Sequence, residues 1–256
     1  MQQTQPVRNT SARVPVRAAI VLLAALAASP ALAQQARTFV EAGVTSDYRV
    51  RGLSWSDGRP AAQGGVNVDL PSGFNVGVWG VTTRGADRHG GADAAIDLIG
   101  GYGVTRGPFS IEAAVIGRMF PGGSGKQNYV ETHAGIGGLI GPLDVRLAAT
   151  YAPDQGAIGG DNLYLRASGR LAWIGTPLTL TGHFGRSSGG ADDPVKAWRL
   201  RPGGTYRDWS VGADYSMGPL ILGIAYTDTD VNRSRGLAGE KLHAGSRLAA
   251  SLRFVH

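Results

Sequence analysis

Apolar and polar side chains alternate along most of the chain beyond Gln34, with a period of two residues. Residues 143–151 are typical, with Leu, Val, Leu, Ala and Tyr at the odd positions and Asp, Arg, Ala and Thr at the even positions. Because successive side chains of a β-strand point to opposite faces, such a segment is predicted to be a strand with one apolar face. Five more segments show the pattern as clearly: 109–116, 163–173, 178–184, 220–227 and 247–254.

Six weaker segments bring the predicted number of strands to twelve. They are 39–51, 61–70, 74–83, 94–105, 129–140 and 208–217. Strands of about ten residues have the length that a tilted strand needs to cross an outer membrane. Tight turns with Gly or Pro follow the even-numbered strands, whereas most odd-numbered strands are followed by longer connections. The pattern therefore predicts an all-β fold, an antiparallel transmembrane up-and-down β-barrel of twelve strands with its short turns in the periplasm.

The outward face of the predicted strands is free of charged residues. A charge that faces lipid costs about 2–4 kcal/mol at the middle of the membrane, which accounts for this absence. A soluble β-sandwich also buries an apolar face, but it does not need strands of such uniform length. Aromatic residues are predicted to form a girdle at each membrane surface. The periplasmic girdle contains Phe74, Phe109, Trp173 and Phe254, and the outer girdle contains Tyr48, Tyr151, Phe184, Trp209 and Tyr226.

The first 33 residues have the features of a secretory signal peptide. Three arginines precede an unbroken apolar run at residues 18–28, and small residues at the −3 and −1 positions predict cleavage after Ala33. The alternative is a membrane anchor, but these eleven apolar residues are too few for a hydrocarbon core that needs about 20. The sequence thus predicts a signal peptide at 1–33 and a barrel at 34–256. The expected location is the bacterial outer membrane, reached through the general secretory pathway.

Composition narrows the function classes. The chain has 40 Gly among 256 residues, which disfavours a helical protein because Gly weakens helix interiors. The absence of Cys excludes disulfides, thiolate metal sites and a cysteine nucleophile. The formal charge of +6 includes three arginines of the predicted leader, so the mature chain has +6 − 3 = +3. That charge is too small and too evenly spread to predict nucleic-acid binding.

Candidate catalytic and metal-binding residues are few, and we expect no enzyme, no cofactor and no metal site. A serine hydrolase of membrane lipids needs an outward-facing pair, whereas His133 and His183 both fall on the inward register. We therefore interpret both as members of polar networks in the lumen. The acidic pairs Asp192-Asp193 and Asp228–Asp230 lie in predicted outer loops, where solvated acids are favoured over calcium ligands because no EF-hand frame surrounds them.

Charged residues on the inward register are predicted to form two walls of opposite sign. The acidic wall contains Glu41, Asp47, Asp69, Asp97, Glu112 and Glu131, and the basic wall contains Arg146, Arg166, Arg170, Arg247 and Arg253. Strands one to six also have three inward-facing bases, Arg49, Arg51 and Arg118, so the net inward charge of that half is 3 − 6 = −3. Strands seven to twelve also have three inward-facing acids, Asp144, Asp208 and Asp214, so the net inward charge of that half is 5 − 3 = +2. Such walls predict an ion-selective field if the lumen is open, or salt bridges that plug it.

One segment carries a family resemblance. Residues 46–54 read Ser-Asp-Tyr-Arg-Val-Arg-Gly-Leu-Ser, which resembles the opening motif of the TorF family of porins. The motif residues are Ser46, Asp47, Tyr48, Arg49, Arg51 and Gly52. Weaker similarities follow in order at 60–64, 77–80, 120–122, 128–131 and 226–230. The chain departs from the family at Met119-Phe120 and by ending Phe254-Val255-His256. The resemblance implies an outer-membrane location and a pore, and it supplies no substrate.

Two interpretations of the charged run at Asp47, Arg49 and Arg51 remain open, a charged constriction and a structural ion-pair network. The leading functional hypothesis is a passive channel for small polar or ionic solutes. The alternatives are a non-conducting barrel that stabilises the envelope or binds a partner, and an outer-membrane enzyme. Expected partners are outer-membrane lipid, lipopolysaccharide and the barrel-assembly machinery, which the C-terminal strand engages. The sequence leaves the oligomeric state open.

Overall fold

The computed structural model describes residues 36–232 and 243–256, so the predicted signal peptide at 1–33 lies outside the described residues. Twelve antiparallel strands form one closed barrel in which each strand pairs with the next and β1 pairs with β14. A small hairpin, β2–β3, is separate from this sheet. The strands are β1 (Arg37–Thr45), β2 (Arg49–Val50), β3 (Leu53–Ser54), β4 (Ala61–Asp69), β5 (Phe74–Ala86), β6 (Ala92–Arg106), β7 (Phe109–Met119), β8 (Tyr129–Ile140), β9 (Leu143–Gln155), β10 (Gly160–Ala172), β11 (Leu178–Ser188), β12 (Tyr206–Met217), β13 (Leu220–Thr229) and β14 (Arg247–Val255). The predicted twelve-stranded barrel is confirmed.

Gly-Pro turns fix the register of three hairpins at the periplasmic rim. Gly107, Gly141 and Gly218 adopt φ of 58°, 59° and 59°, and each precedes a proline. A two-residue turn with positive φ first and a fixed negative φ second matches the right-handed twist of the flanking strands. The hairpins therefore begin in a register that sends apolar residues outward on both strands.

The outward face is apolar between two belts of aromatic rings. Leu147 and Leu165 are 58% and 47% exposed at mid-barrel, as lipid-facing side chains must be. At the outer end the strands run past the predicted segments, and the outward register there acquires Arg186 and Arg207, which are direct cross-strand partners. Within the described residues, no helix is long and apolar enough to span a membrane.

Tyr48 is a correction to the predicted outer girdle. It does not face lipid but lies inside the barrel, where its hydroxyl accepts a hydrogen bond from Trp79 Nε1 at 3.1 Å. Burial raises the pKa of its phenol. The alternating pattern continued beyond the end of the strand, so parity alone placed the ring on the wrong side.

The first predicted strand, 39–51, ends early. β1 stops at Thr45, and residues 46–60, which we call the inward loop, turn back into the barrel and contain the β2–β3 hairpin. Arg51 and Gly52 make the turn of this hairpin with φ of 55° and 73°. Two consecutive positive φ values are typical of a type I′ turn, which joins two tightly paired strands. The chain leaves the sheet here because its charged side chains find buried partners inside.

An apolar core lies under the outer loops. Trp55 of the inward loop packs against Phe120 at 5.6 Å between ring centroids, and Phe120 stacks on Tyr129 at 6.0 Å. We call this cluster the outer cap. Its members are Trp55, Ala61, Val81, Ala92, Ala95, Phe120, Tyr129, Ala152, Ala157, Ile158 and Leu200. Within the described residues, the loops that reach it contain the 3-10 turn Asp87–His89 and a short helix, α1 (Pro194–Ala197).

Candidate functional site in the barrel lumen

The barrel encloses a polar cavity of about 740 Å³ beneath the inward loop. Side chains from most of the barrel strands line it, among them Arg166, Ser168, His183, Ser210 and Asp214. The inward loop contributes Asp47 to Gly52 to the same lining. The polar and charged side chains that line the cavity therefore come both from the barrel wall and from the inward loop, which fills the outer part of the barrel.

Glu131 is the centre of a buried ion-pair network. Its Oε1 accepts from Arg51 Nη2 at 2.7 Å, and its Oε2 accepts from Arg118 Nε at 2.8 Å. Arg118 also pairs with Asp97 through Nη1 at 3.0 Å. The network ties the inward loop to β6, β7 and β8. Glu131 is fully buried, so it does not line the open lumen as predicted.

Asp47 also differs from its predicted place on a strand wall. It lies in the inward loop, is buried, and accepts from Arg49 Nε at 2.7 Å and from the Ser54 hydroxyl at 2.5 Å. Arg247 of β14 approaches the same carboxylate at 3.9 Å. Of the two open interpretations for the charged run, the geometry favours the structural ion-pair network.

The remaining predicted charges largely pair across neighbouring strands. Arg253 bridges Glu41 at 3.8 Å and Asp214 at 2.9 Å. Arg146 lies 3.5 Å from Glu112 and 3.4 Å from Asp144. Asp69, at the periplasmic end, accepts from Asn67 Nδ2 at 2.5 Å. The ion pairs of Arg253 and Arg146 neutralise much of the charge that the sequence assigned to two separate walls, whereas the contact of Asp69 is with a neutral amide.

Arg166 and Arg170 are the exceptions on the basic wall. Both are exposed in the lumen, and neither makes an ion pair or a side-chain hydrogen bond within residues 36–232 and 243–256. The cross-strand partners of Arg166 are Ala148 and Gly185, so no acid faces it. Arg170 faces Asp144, whose carboxylate already contacts Arg146. Two cations of one strand thus remain available to a solute.

A chain of polar side chains crosses the lumen face of β10, β11 and β12. His183 Nδ1 lies 2.6 Å from Ser210 Oγ, and His183 Nε2 lies 3.2 Å from Asp208 Oδ1. The Tyr164 hydroxyl donates to both oxygens of Asp208 at 2.9 Å. His133, the other predicted lumen histidine, instead contacts Thr150 Oγ1 at 3.0 Å.

Sequence reasoning placed His183 and Asp208 on the inward register but missed Ser210 as their partner. The available signal was the spacing of Asp208 and Ser210, two residues apart and so on one face of β12. What was missing is the register that sets Ser210 opposite His183.

Arg199 and His89 both pack against Phe120 of the outer cap. Arg199 Nη1 donates to the Gln127 carbonyl oxygen at 2.6 Å, and its guanidinium stacks 4.3 Å from the centre of the Phe120 ring. Burial lowers the pKa of Arg199 to about 10. Burial and this neighbouring cation together hold the pKa of His89 well below 6.5. In the described residues, no group of three acidic or histidine side chains is placed to hold a metal ion.

Comparison with solved structures gives distant matches to outer-membrane proteins. The KdgM porin in complex with disordered oligogalacturonate matches with a TM-score of 0.52 and 8% identity over 85% of this chain and 97% of that one. OprD of Pseudomonas aeruginosa matches with a TM-score of 0.42 and 14% identity over 86% and 66%. OmpT of Vibrio cholerae matches with a TM-score of 0.42 and 10% identity over 86% and 97%. Such low identities show the fold alone.

The porin-like barrel fold points to the bacterial outer membrane. No curated protein matches the chain, and the name TorF is not among the matches. A profile described as a bacterial protein of unknown function, Gcw_chp, matches residues 30–249. The chain therefore belongs to the Gcw_chp family of bacterial proteins.

Proposed function

We propose that the protein is a passive outer-membrane channel for small polar or ionic solutes, and that it prefers anions. The observation that carries the proposal is a pair of exposed cations on the lumen face of β10 that make no ion pair within the described residues: Arg166, which lines the cavity, and Arg170, four residues further along the same face. The shared fold with a porin supports a channel. The inward loop restricts the outer part of the lumen, so small ions are favoured over oligomers.

Electrostatics explains the expected preference. Charges that line a cavity with low-dielectric walls focus their field into the solvent and raise the local concentration of counter-ions. Most lumen charges cancel within ion pairs, whereas Arg166 and Arg170 do not. Across the barrel from β10, the mid-barrel inward positions of β4 are Gln63, Gly65 and Asn67, and the inward acid of that strand, Asp69, lies at its periplasmic end beside Asn67.

Conductance in a planar bilayer tests the proposal. The refolded protein should show an anion-selective reversal potential in a salt gradient. The double change Arg166→Glu with Arg170→Glu should shift selectivity towards cations while the heat-modifiable gel mobility of the folded barrel is kept. Arg186→Glu is the control, because it reverses a charge on the outward face. Unchanged selectivity in the double variant would contradict the proposal.

A second candidate function, a non-conducting barrel, is favoured by the packing of the inward loop and the outer cap. In that case the refolded protein gives no current, and a variant that loosens the inward loop does. Current in the unmodified protein separates the channel from this alternative.

We also propose that the protein is a TorF-type porin that contacts outer-membrane lipid and lipopolysaccharide. Cleavage after Ala33 and assembly through β14 by the barrel-assembly machinery belong to the same proposal. Sequencing the N-terminus of the protein from isolated outer membranes tests the cleavage site. Recovery from the soluble periplasm alone would contradict the location.

A further inference from the structure

Three side chains on the lumen face of β11 and β12 form a hydrogen-bonded chain of a potential nucleophile, a base and a carboxylate. They are Ser210, His183 and Asp208. We propose that Ser210 is an activated nucleophile that cleaves short carboxylic esters which enter the lumen. His183 acts as the general base, and Asp208 is the residue that positions it. The proposal goes beyond channel function and does not depend on ion conduction, since an ester needs access from one side only.

The direction of each hydrogen bond follows from donor and acceptor chemistry. An ionised Asp208 only accepts, so the proton between it and His183 belongs to Nε2 of the imidazole. The Tyr164 hydroxyl also donates to Asp208, which leaves the carboxylate oriented from two sides. With that proton on Nε2 and none on Nδ1, His183 presents the lone pair of Nδ1 to the Ser210 hydroxyl at 2.6 Å. Serine hydrolases of unrelated folds activate a hydroxyl with the same three groups, and here the two imidazole nitrogens exchange roles, with Nδ1 on the serine and Nε2 on the acid.

The residues around Ser210, His183 and Asp208 leave space for these contacts and keep the carboxylate away from solvent. A Cβ on Gly185 would lie 2.6 Å from Asp208 Oδ2 and would also clash with the Tyr164 hydroxyl, so the glycine opens the space in which they meet. Asp208 has no exposed side-chain surface, whereas His183 keeps 16% and lines the cavity together with Ser210. The base and the nucleophile are therefore accessible, and the acid is sealed behind them.

The lumen also holds a cation suited to the charge that develops during acyl transfer. Arg166 lines the same cavity, and Gly185 lies between it and Asp208 in one cross-strand row. A guanidinium beside the reacting carbonyl stabilises a negatively charged tetrahedral oxygen. Arg166 makes no ion pair within the described residues, so its charge is free for this role.

The reaction balances without a cofactor. Ser210 Oγ forms a bond to the ester carbonyl carbon while its proton passes to His183 Nδ1. The bond to the alcohol oxygen breaks, and the alcohol leaves with that proton. Water then attacks the acyl-serine with His183 again taking a proton, which releases a carboxylic acid and restores the hydroxyl.

Ser168→Ala is a matched control for Ser210→Ala. Both serines face the lumen, and both are direct cross-strand partners of His183, one on β10 and one on β12. Of the two, Ser210 bonds to the imidazole. The refolded barrel is treated with a small fluorophosphonate, and the modified residue is located by peptide mass analysis. Turnover of p-nitrophenyl acetate is measured in parallel, and heat-modifiable mobility confirms that each variant is folded.

We expect labelling of the native barrel at Ser210 and its loss on unfolding. Ester turnover should fall about 100-fold or more in Ser210→Ala and in His183→Gln, since acid–base catalysis contributes at least that factor. Ser168→Ala should retain both labelling and turnover. Absence of labelling at Ser210 in the native protein, or equal labelling of native and unfolded chains, would overturn the proposal without affecting channel function.

Discussion

The substitution Glu131→Gln removes the negative charge that holds the inward loop. The carboxylate has no exposed surface, and its partners Arg51 and Arg118 are only 8% and 11% exposed. In the variant, Arg118 keeps Asp97 at 3.0 Å. Arg51 keeps only its stacking on a tyrosine ring at 4.8 Å. The buried charge that loses its partner is therefore that of Arg51, which belongs to the inward loop.

Removing one partner of a buried ion pair costs about 3–5 kcal/mol because the other charge stays buried. The lower end applies here, since one of the two arginines retains an acid. A loss of about 3 kcal/mol corresponds to a factor of roughly 100 in the folding equilibrium. If the loop is released instead, Arg51 reaches water, the cost to the whole barrel is smaller, and the lumen opens.

Urea unfolding in lipid vesicles measures the loss of folding stability, and single-channel conductance measures the opening of the lumen. Glu112→Gln is the control, because that carboxylate is 45% exposed and its neighbours Arg146 and His133 lie at 3.5 Å. Such an exposed pair contributes less than about 1 kcal/mol. Adding Arg51→Met to Glu131→Gln should recover stability, because it removes the orphaned charge. Equal losses in Glu131→Gln and Glu112→Gln, with no change in conductance, would refute the reasoning.

Three further predictions concern the lipid face, the outer cap and the lumen network. Leu147→Arg should destabilise the barrel by about 2–4 kcal/mol and Ala148→Arg by much less, as heat-modifiable mobility will show, since the two neighbours face lipid and lumen. His89 is neutral when folded because its pKa lies well below 6.5. The unfolded chain therefore binds more protons, stability falls as the pH drops below about 6.5, and urea titrations of His89→Gln should lack that component. Gly185→Ala should cost about 1–3 kcal/mol by crowding, whereas Gly182→Ala on the same strand, where a Cβ has ordinary contacts, should cost less in the same titration.

The fold could be predicted from the sequence because each barrel strand shows a local pattern that identifies it as a strand. Alternation at 143–151 and a Gly-Pro turn before it are local signals, and lipid enforces them strictly on one face. The strand ends were less accurate. β11 runs to Ser188 and not to 184, because pairing with the outer part of β10 continues after the apolar pattern has ended.

The site was only partly readable, since it depends on contacts between distant segments. Parity put Arg166 and Arg170 on the inward face of β10, but it cannot show which charges find partners. Arg51 meets Glu131 across 80 residues of sequence, and no local pattern encodes that pairing. The same limit hid the contact between His183 and Ser210, which follows from the register of β11 on β12.

The position of the inward loop has a consequence for assembly. The loop follows β1 directly, and the barrel is sealed where β1 meets β14. Ser46 extends that seam by one step, since its N–H donates to the Ala250 carbonyl at 2.9 Å and its hydroxyl accepts from the Ala250 N–H at 3.0 Å. Pairing of β14 with β1 thus closes the sheet and fixes the base of the inward loop at the same time. We expect the slow step of folding to be this long-range closure, with the loop already inside when the wall completes around it.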